Sequence, residues 1–375
     1  MALTLALRNL LYDRTRLVGT LIGVVFSTVL ITIQLGLYVS SERMIATLID
    51  HSSSDLWIVP LETKSFENAA LLPGHERYLA LSTKGVVSAT EVIVGFAEWR
   101  KPNGAKVPIV LIGADARGGG PTPWNVVQGS SQALHGPDAI AVDHSYSQDL
   151  GVSGLEDEAE IVELRARIAV MTSGIRSFTT LPYVFTSLQN AREYLGIDRY
   201  RSTYVLVRLA AGSDIVGLQA ALSSKVRNVE VLTTAELRRR TIGHWLFGTG
   251  AGAALIVGAA LGILVGSVIV GQSLYASAVD HMSAFATLRA LGSSTGYIHR
   301  VILMQAGLCA VAGYALGAIL GQAIVWFSAD TAMPVVVTPF LAVLIFMTIV
   351  IMCVAGATSA IRKVTRIDPA TVFQK

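Results

Sequence analysis

Residues 281–300, HMSAFATLRALGSSTGYIHR, form a short, half-polar segment between two long apolar runs. The run before it covers 244–279 and the run after it covers 301–329. Two further apolar runs lie at 17–41 and 339–361. Each run exceeds the roughly 20 residues that a helix needs to cross the hydrocarbon core of a bilayer. The sequence therefore predicts four transmembrane helices, with a short helix in the loop between the second and the third.

The rest of the chain has a different composition. Of its 375 residues, 52% are hydrophobic and only 15% are charged, but residues 42–243 have an ordinary soluble composition. Short apolar or alternating runs in this region alternate with helical patterns such as SLQNAREYLG. We expect one large α+β domain inserted between the first and second transmembrane helices. Both cysteines, Cys309 and Cys353, lie in apolar runs, so this domain has no disulfide.

Lysine and arginine residues beside the apolar runs predict the orientation of the chain. The loop 330–338 has none, whereas the amphipathic N-terminal segment 1–16, the loop 280–300 and the tail 362–375 carry Arg8, Arg14, Arg16, Arg289, Arg300, Arg362, Lys363, Arg366 and Lys375. Both termini and the loop 280–300 are therefore expected on the cytoplasmic side of the membrane, with the large domain outside. The first run is too long for a signal peptide and is interpreted as a retained span.

Small residues recur at four-residue spacing in the second and third runs, at Gly250, Gly258, Gly262, Gly266, Gly313 and Gly317. Such spacing is typical of helices that pack closely in lipid. We expect these glycines to form a packing surface among the chain's own helices, and a homodimer interface is the alternative.

The second span is expected to begin inside the outer domain. The stretch TAELRRRTIGHWLFGTG, residues 234–250, has a helical pattern with Thr234 as a suitable N-cap. One continuous helix is therefore predicted from the outer domain to the loop 280–300.

The sequence lacks the common motifs of nucleotide-binding, metal-binding and hydrolase sites. There is no GxxxxGK[ST] motif to bind ATP, no HExxH or CxxC, and no GxSxG. No Asp, Glu, Lys or Arg lies deep in an apolar run, which argues against ion-coupled transport. The net charge of +3 does not indicate a nucleic-acid partner. The chain is therefore predicted to be no enzyme and to bind no cofactor or metal.

Three blocks of sequence resemble the FtsX/MacB-type permeases of ABC exporters, also called type VII. They are LALRNLLYDRTRLVGTLIGVVFSTVLITIQLGLY with SSDLWIVP, then FATLRALGSSTGYIHRVILMQA, and last RKVTRIDPATVF. Within that family they are most similar to the DevC branch, the permeases of cyanobacterial glycolipid exporters. The resemblance implies a MacB-like periplasmic core domain at 42–243 and an FtsX-like permease domain at 252–372.

The resemblance also implies a role for the loop helix, which in this family is the coupling helix that docks on a partner ATPase. Its contact residues would be Phe285, Leu288, Arg289, Ala290 and Gly292. Phe285, Leu288 and Leu291 share a helical face, and we expect Phe285 to anchor this face in a groove of the ATPase. The alternative is that the helix lies flat on the bilayer. His281 and Ala284 replace an Arg and a Glu that many relatives have.

Two functions follow from the resemblance. The first is the permease subunit of an exporter for a lipid, glycolipid or other hydrophobic molecule, in which a separate ATPase dimer binds ATP and drives motion of the outer domain. Its expected partners are that ATPase, a second copy of the chain, membrane lipid and, in some systems, a periplasmic adaptor and an outer-membrane duct. The alternative is an FtsX-like signalling protein that controls an external cell-wall hydrolase without transport.

Overall fold

The structure is a computed structural model that describes residues 2–68, 70–115 and 119–365, without the side chains of residues 290, 359 and 363–365. The tail residues Arg366 and Lys375 lie outside this range. The chain divides into two compact units, one formed by Met1–Ser40 with Gly252–Lys375 and the other by Ser41–Ala251. The first is called the helical unit below, and the second the outer domain.

The helices, in chain order, are α1 Ala2–Tyr12, α2 Arg14–Asp50, α3 Glu76–Leu81, α4 Ser147–Leu150, α5 Leu188–Leu195, α6 Ile215–Lys225, α7 Thr234–Gly243, α8 Ala251–Asp280, α9 Met282–Ala290, α10 Thr295–Ser328 and α11 Pro339–Thr365. The strands are β1 Leu56–Pro60, β2 Val86–Arg100, β3 Lys106–Ala114, β4 Val126–Gly129, β5 Ala139–Asp143, β6 Glu158–Ile161, β7 Leu164–Thr172, β8 Tyr183–Thr186, β9 Tyr204–Leu209 and β10 Val229–Thr233.

Four of these helices are long and apolar enough to cross a membrane, namely α2, α8, α10 and the Pro339–Arg362 part of α11. The α+β domain lies between the first and the second of them. The predicted fold class of four transmembrane helices with one inserted α+β domain is therefore confirmed.

Two membrane helices begin before their apolar runs because a polar side chain caps each of them. The Asp13 Oδ1 atom accepts a hydrogen bond from the Arg16 amide at 3.1 Å. The Ser294 Oγ atom accepts one from the Tyr297 amide at 3.3 Å. Each cap satisfies an amide that has no partner inside its helix.

The helical unit has one apolar core. Side chains of α2, α8, α9, α10 and α11 meet in it, including Val24, Ile31, Leu274, Ile302 and Ile349. The N-terminal helix α1 packs against α10, and its Ala6 is fully buried.

The outer domain is built on a ten-stranded mixed sheet. Nine strands follow the order β10-β1-β9-β2-β3-β8-β5-β7-β4, and β6 pairs with β2 and β7. The pairs β3 with β8 and β5 with β7 are parallel, while the other pairs are antiparallel. Every residue of β1, β5 and β8 is buried, so both faces of these strands are covered. This explains why these strands read as continuous apolar runs rather than alternating ones.

Two indoles in the sheet are fully buried and hydrogen-bonded. The Trp57 Nε1 atom donates to Thr234 Oγ1 at 3.1 Å, and the Trp99 Nε1 atom donates to the Leu150 carbonyl at 3.0 Å. Satisfying the N–H lets each large ring enter the core without leaving a buried donor unpaired.

The continuous helix that was predicted from the outer domain through the second span is wrong. Helix α7 ends at Gly243, a π-helical turn covers His244–Gly248, and α8 begins only at Ala251. Gly250 lies between them with φ of +81°, a left-handed conformation that favours glycine because it has no β-carbon. This glycine therefore ends the helical path instead of continuing it.

The predicted N-cap of α7 is also off by one residue. Thr233 is the cap: its Oγ1 atom accepts from the Glu236 amide at 3.2 Å, and the Glu236 carboxylate accepts from the Thr233 amide at 2.8 Å. This reciprocal pair is a capping box. The Thr234 hydroxyl instead donates to the Ser54 carbonyl at 2.6 Å.

A buried carboxylate fixes the position of the π-helical turn within the outer domain. Glu67 is 3% exposed. It accepts a hydrogen bond from Trp245 Nε1 at 3.1 Å and another from the Tyr183 hydroxyl at 3.0 Å. Burial, which disfavours the charged form, raises the pKa of Glu67.

This raised pKa makes the stability of the outer domain depend on pH. The folded domain holds the Glu67 proton more tightly than the unfolded chain, whose glutamate has a pKa near 4.5. The stabilisation is complete below that pH and is lost as the pH rises through the folded pKa. We expect the Tm of the wild-type chain to fall with rising pH more steeply than that of Glu67→Gln, which cannot ionise.

Thermal unfolding of the purified full chain over a series of pH values measures this difference. The control is Glu193→Gln, which removes an exposed carboxyl from α5 and should keep the wild-type slope. An equal change of Tm with pH for Glu67→Gln and the wild type would show that the pKa of Glu67 is the same in the folded and unfolded chains.

Candidate coupling site on the helix between the second and third membrane helices

The predicted loop helix is present as α9, Met282–Ala290, and both of its ends are set by local sequence. Helix α8 ends at Asp280, and the His281 ring nitrogen Nδ1 lies 2.9 Å from the Ser277 carbonyl oxygen. At the other end Gly292 has φ of +95°, and its amide donates to the Arg289 carbonyl at 3.0 Å. This left-handed residue ends α9 and lets the chain turn into α10 within a few residues.

One face of α9 is covered by the chain itself. Phe285 and Ala286 are 3% and 1% exposed, and Leu288 is half-buried. Phe285 belongs to the same apolar core as Leu274 of α8 and Ile298 of α10. The helix is therefore fixed to the two membrane helices that it connects.

The expectation that Phe285 anchors a partner protein is wrong for this structure. Its ring is already buried in the core of the helical unit, so it offers little surface to a partner. Of the three residues that were predicted to share one apolar face, Phe285 and Leu288 pack in the core of the chain's own helices, whereas Leu291 is 80% exposed.

The opposite face of α9 is exposed and is the part that a partner can reach. Ser283, Ala284 and Thr287 are exposed along it, and Leu291, which follows the helix, is 80% exposed. Of the other predicted contact residues, Gly292 is exposed and Arg289 is half-exposed. Ala290 ends the helix, and its side chain lies outside the described part of the structure.

The N-terminal segment lies beside α9. The Arg16 Nη1 atom is 2.6 Å from Asp280 Oδ2, which joins the start of α2 to the end of α8. The Tyr12 and His281 rings meet edge to face, with centroids 6.0 Å apart. Sequence reasoning used the arginines of this segment only for orientation and missed this contact. The sequence contained one sign of this contact: Asp280 directly follows the second apolar run, and the three arginines of the N-terminal segment precede the first.

Five of the six glycines expected in a packing surface face other helices of the same chain. On α8, Gly258 faces the side chain of Gln34, Gly262 faces Leu30 and Ile31, and Gly266 faces Ser27 and Met352. On α10, Gly313 faces Val24 and Gly317 faces Thr28. The sixth, Gly250, lies in the turn before α8, where a β-carbon would have open space around it.

The partner surface for the α10 glycines is a row of branched residues on α2 at four-residue spacing: Val24, Thr28 and Thr32, the last of which faces Gly321. The two threonine hydroxyls donate to carbonyls of their own helix, at 2.8 Å to Val24 and 2.7 Å to Thr28. With its hydroxyl satisfied, each threonine can offer its methyl group to the glycine opposite. This row was missed, although its spacing was visible in the sequence.

Within residues 2–68, 70–115 and 119–365 there is no group of three or more His, Cys, Asp or Glu side chains that could hold a metal ion.

Comparison with known families identifies both parts of the chain. The model of the MacB-like periplasmic core domain matches residues 17–225, which is more than half of the chain. The model of the FtsX-like permease C-terminal domain matches residues 256–369.

The chain belongs to the family of FtsX/MacB-type permeases.

The family that the three sequence blocks indicated is thus confirmed, whereas the DevC branch stays a prediction. Membership implies an ABC-type ATPase as partner and, usually, a dimer. It also identifies this permease as a multi-pass membrane protein.

Two of the solved structures that resemble part of the permease are the periplasmic or extracellular regions of other proteins. The periplasmic region of MacB from Actinobacillus actinomycetemcomitans is 9% identical, with a TM-score of 0.38, over 52% of this chain and 96% of that one. The extracellular domain of the noncanonical ABC-type transporter YknZ from Gram-positive bacteria is 13% identical, with a TM-score of 0.36, over 48% and 98%. No curated protein matches the permease.

The glycine surface on α10 gives a matched pair of variants. A β-carbon at Gly317 would lie 2.6 Å from Thr28 Cβ, whereas one at Gly307 of the same helix would meet nothing within 4 Å. We expect Gly317→Leu to destabilise the helical unit by about 1–3 kcal/mol through overpacking, and Gly307→Leu to have little effect. Thermal unfolding in detergent measures both, and equal stabilities would contradict packing of α2 on this surface.

Because Phe285 is buried in the helical unit, we expect its truncation to reduce the stability of the chain and not only its binding to the ATPase. We expect Phe285→Ala to cost about 3 kcal/mol or more, because it leaves a cavity in the core of the helical unit. The control in the same helix is Thr287→Ala, at an exposed position, which should change stability by less than about 0.5 kcal/mol. If Phe285→Ala unfolds at the wild-type temperature, the ring is not packed as described.

Proposed function

We propose that the chain is the permease subunit of an ABC exporter in a bacterial inner membrane, with both termini and α9 in the cytoplasm. A separate ATPase dimer binds and hydrolyses ATP, and its motion reaches the permease through α9. The moving permease exports, or extracts from the membrane, a lipid, a glycolipid or another hydrophobic molecule. The substrate class rests on the resemblance of the three sequence blocks to the DevC branch.

The observation that carries this proposal is that α9 has two different faces. Its inner face, with Phe285 and Ala286, is part of the core that also contains α8 and α10 side chains. Its outer face offers a surface with a strongly exposed leucine. A force applied to the outer face would therefore move two membrane helices together, since packed interiors transmit displacement with little compression.

The composition of the spans supports an external source of energy. Residues 17–41, 251–279, 301–329 and 339–361 contain no Asp, Glu, Lys or Arg. Transporters driven by protons or ions usually carry such groups in their spans. Hydrolysis of ATP by a partner protein supplies energy without them.

The further partners of the proposed exporter follow from the family. A second copy of the chain would give each ATPase of a dimer its own α9. A periplasmic adaptor and an outer-membrane duct would carry the substrate onward, as the resemblance to MacB- and DevC-like systems suggests.

The test of the docking surface uses the exposed leucine. Leu291→Asp adds a charge where the ATPase is proposed to bind, and we expect roughly tenfold or more weaker binding of the ATPase, because burying an unpaired charge in an interface is unfavourable. Stability and membrane insertion of the chain should not change, because Leu291 is 80% exposed. The matched control is Val216→Asp on α6, which is 73% exposed and lies in the outer domain.

Two measurements decide the outcome: co-purification with the cognate ATPase, and stimulation of ATP hydrolysis in nanodiscs. Loss of both for Leu291→Asp, with Val216→Asp unaffected, supports docking at α9. Wild-type binding and stimulation by Leu291→Asp would place the ATPase contact elsewhere.

A further inference from the structure

The helical unit has a basic groove at the start of α9, and Ser283 and Ala284 of the exposed face of α9 belong to its lining. It has a volume of about 730 Å³ and is lined by α1, by the start of α2 and by the residues where α8 passes into α9. Its charged lining residues are Arg8, Arg14 and Arg16 against Asp13 and Asp280. Three arginines face two aspartates, so the lining is positive overall.

The two acidic residues of the groove are both used by one arginine. Arg16 lies 2.6 Å from Asp280 and 3.4 Å from Asp13. Arg8 and Arg14 are exposed, and the described residues provide no carboxylate within ion-pair distance of either. The groove therefore holds two cationic groups that are available to an anionic ligand.

The residues that line the groove lie at the ends of membrane-spanning helices, and this indicates the depth of the groove in the membrane. The Arg16–Asp280 ion pair joins the first turn of α2 to the last turn of α8, and both helices are long enough to cross the bilayer. Charged ends of spanning helices lie at the boundary between hydrocarbon and water. Arg8 and Arg14 are thus placed at the depth of the lipid headgroups.

The helix that forms one wall of the groove has the pattern of an interfacial helix. Leu3, Leu7 and Leu11 of α1 follow one another at four-residue spacing and are 49%, 41% and 56% exposed, whereas Ala6 is buried against the protein. Tyr12, at the end of α1, is 85% exposed. An exposed leucine row with a terminal tyrosine fits a helix that lies in the bilayer surface, so phospholipids are the molecules nearest to the groove.

We propose that this groove binds the phosphate headgroup of an anionic phospholipid. Arg8 and Arg14 supply the charge, while Asn9 and Ser283, which also line the groove, supply neutral hydrogen-bonding groups. A bound phosphate would partner the two arginines at headgroup depth, where a basic residue contributes about fivefold to the affinity for anionic lipid. Ser283 belongs to α9, so a bound headgroup touches the helix that is proposed to couple to the ATPase.

The test measures lipid binding by the full chain without any ATPase, so it does not depend on the proposed function. The chain is purified in detergent with equal amounts of phosphatidylglycerol and phosphatidylcholine, and native mass spectrometry counts the lipids that stay bound. We expect the wild type to retain phosphatidylglycerol preferentially. The double variant Arg8→Gln with Arg14→Gln should lose affinity for it on the order of 20-fold, while the double Lys variant should keep most of it.

The matched control is Arg300→Gln, which removes an exposed arginine from α10 near the same end of the bundle and lies outside the groove. It should bind phosphatidylglycerol like the wild type. Equal binding by the double Gln variant and the wild type would overturn the proposal, as would equal losses in the double Gln variant and in Arg300→Gln. If the double Gln variant keeps its lipid but no longer co-purifies with the ATPase in lipid-free detergent, the groove holds an acidic protein segment instead.

Discussion

The close packing of α2 on the glycine faces of α8 and α10 is the contact on which the helical unit depends. Inside a bilayer, lipid is as apolar as leucine, so helices associate through contact area and not through exclusion of water. Val24 and Thr28 of α2 lie where Gly313 and Gly317 leave room for them. The core that these contacts bring together also contains Phe285. The position of α9 therefore rests on the same packing.

The packing of α9 in the core of the helical unit fits its proposed role as the helix that receives motion from the ATPase. A helix that only touched the bilayer could move without consequence, but α9 shares a core with α8 and α10, so its displacement involves both. The outer domain has its own buried apolar clusters, and the buried Glu67 holds the π-helical turn that precedes α8 in the chain. The break at Gly250 makes α7 and α8 separate helices. A movement of α8 therefore does not require the same movement of α7.

Sequence patterns predicted much of this fold because membrane spans are set by composition and length. The four apolar runs, the inserted α+β domain and the family all follow from local features. Periodicity also identified the apolar face of α9, but it contains no information on which surface covers that face, and Phe285 was assigned to a partner although its own chain buries it. Gly250 fits the same spacing as Gly258, yet it occupies a left-handed turn, because spacing alone does not distinguish a packing glycine from one that ends a helix. The groove between α1 and α9 needed the structure, since Arg16 and Asp280 are far apart in sequence.

In the proposed mechanism, hydrolysis of ATP by a partner moves a hydrophobic molecule through the action of this chain. The most direct measurement reconstitutes the chain and its cognate ATPase in liposomes containing a labelled glycolipid and follows transfer of the label to an acceptor. We expect transfer that requires ATP and stops when the ATPase cannot hydrolyse it. Stimulated ATP hydrolysis with no transfer, together with activation of an added external cell-wall hydrolase, would contradict export and identify the chain as a regulator.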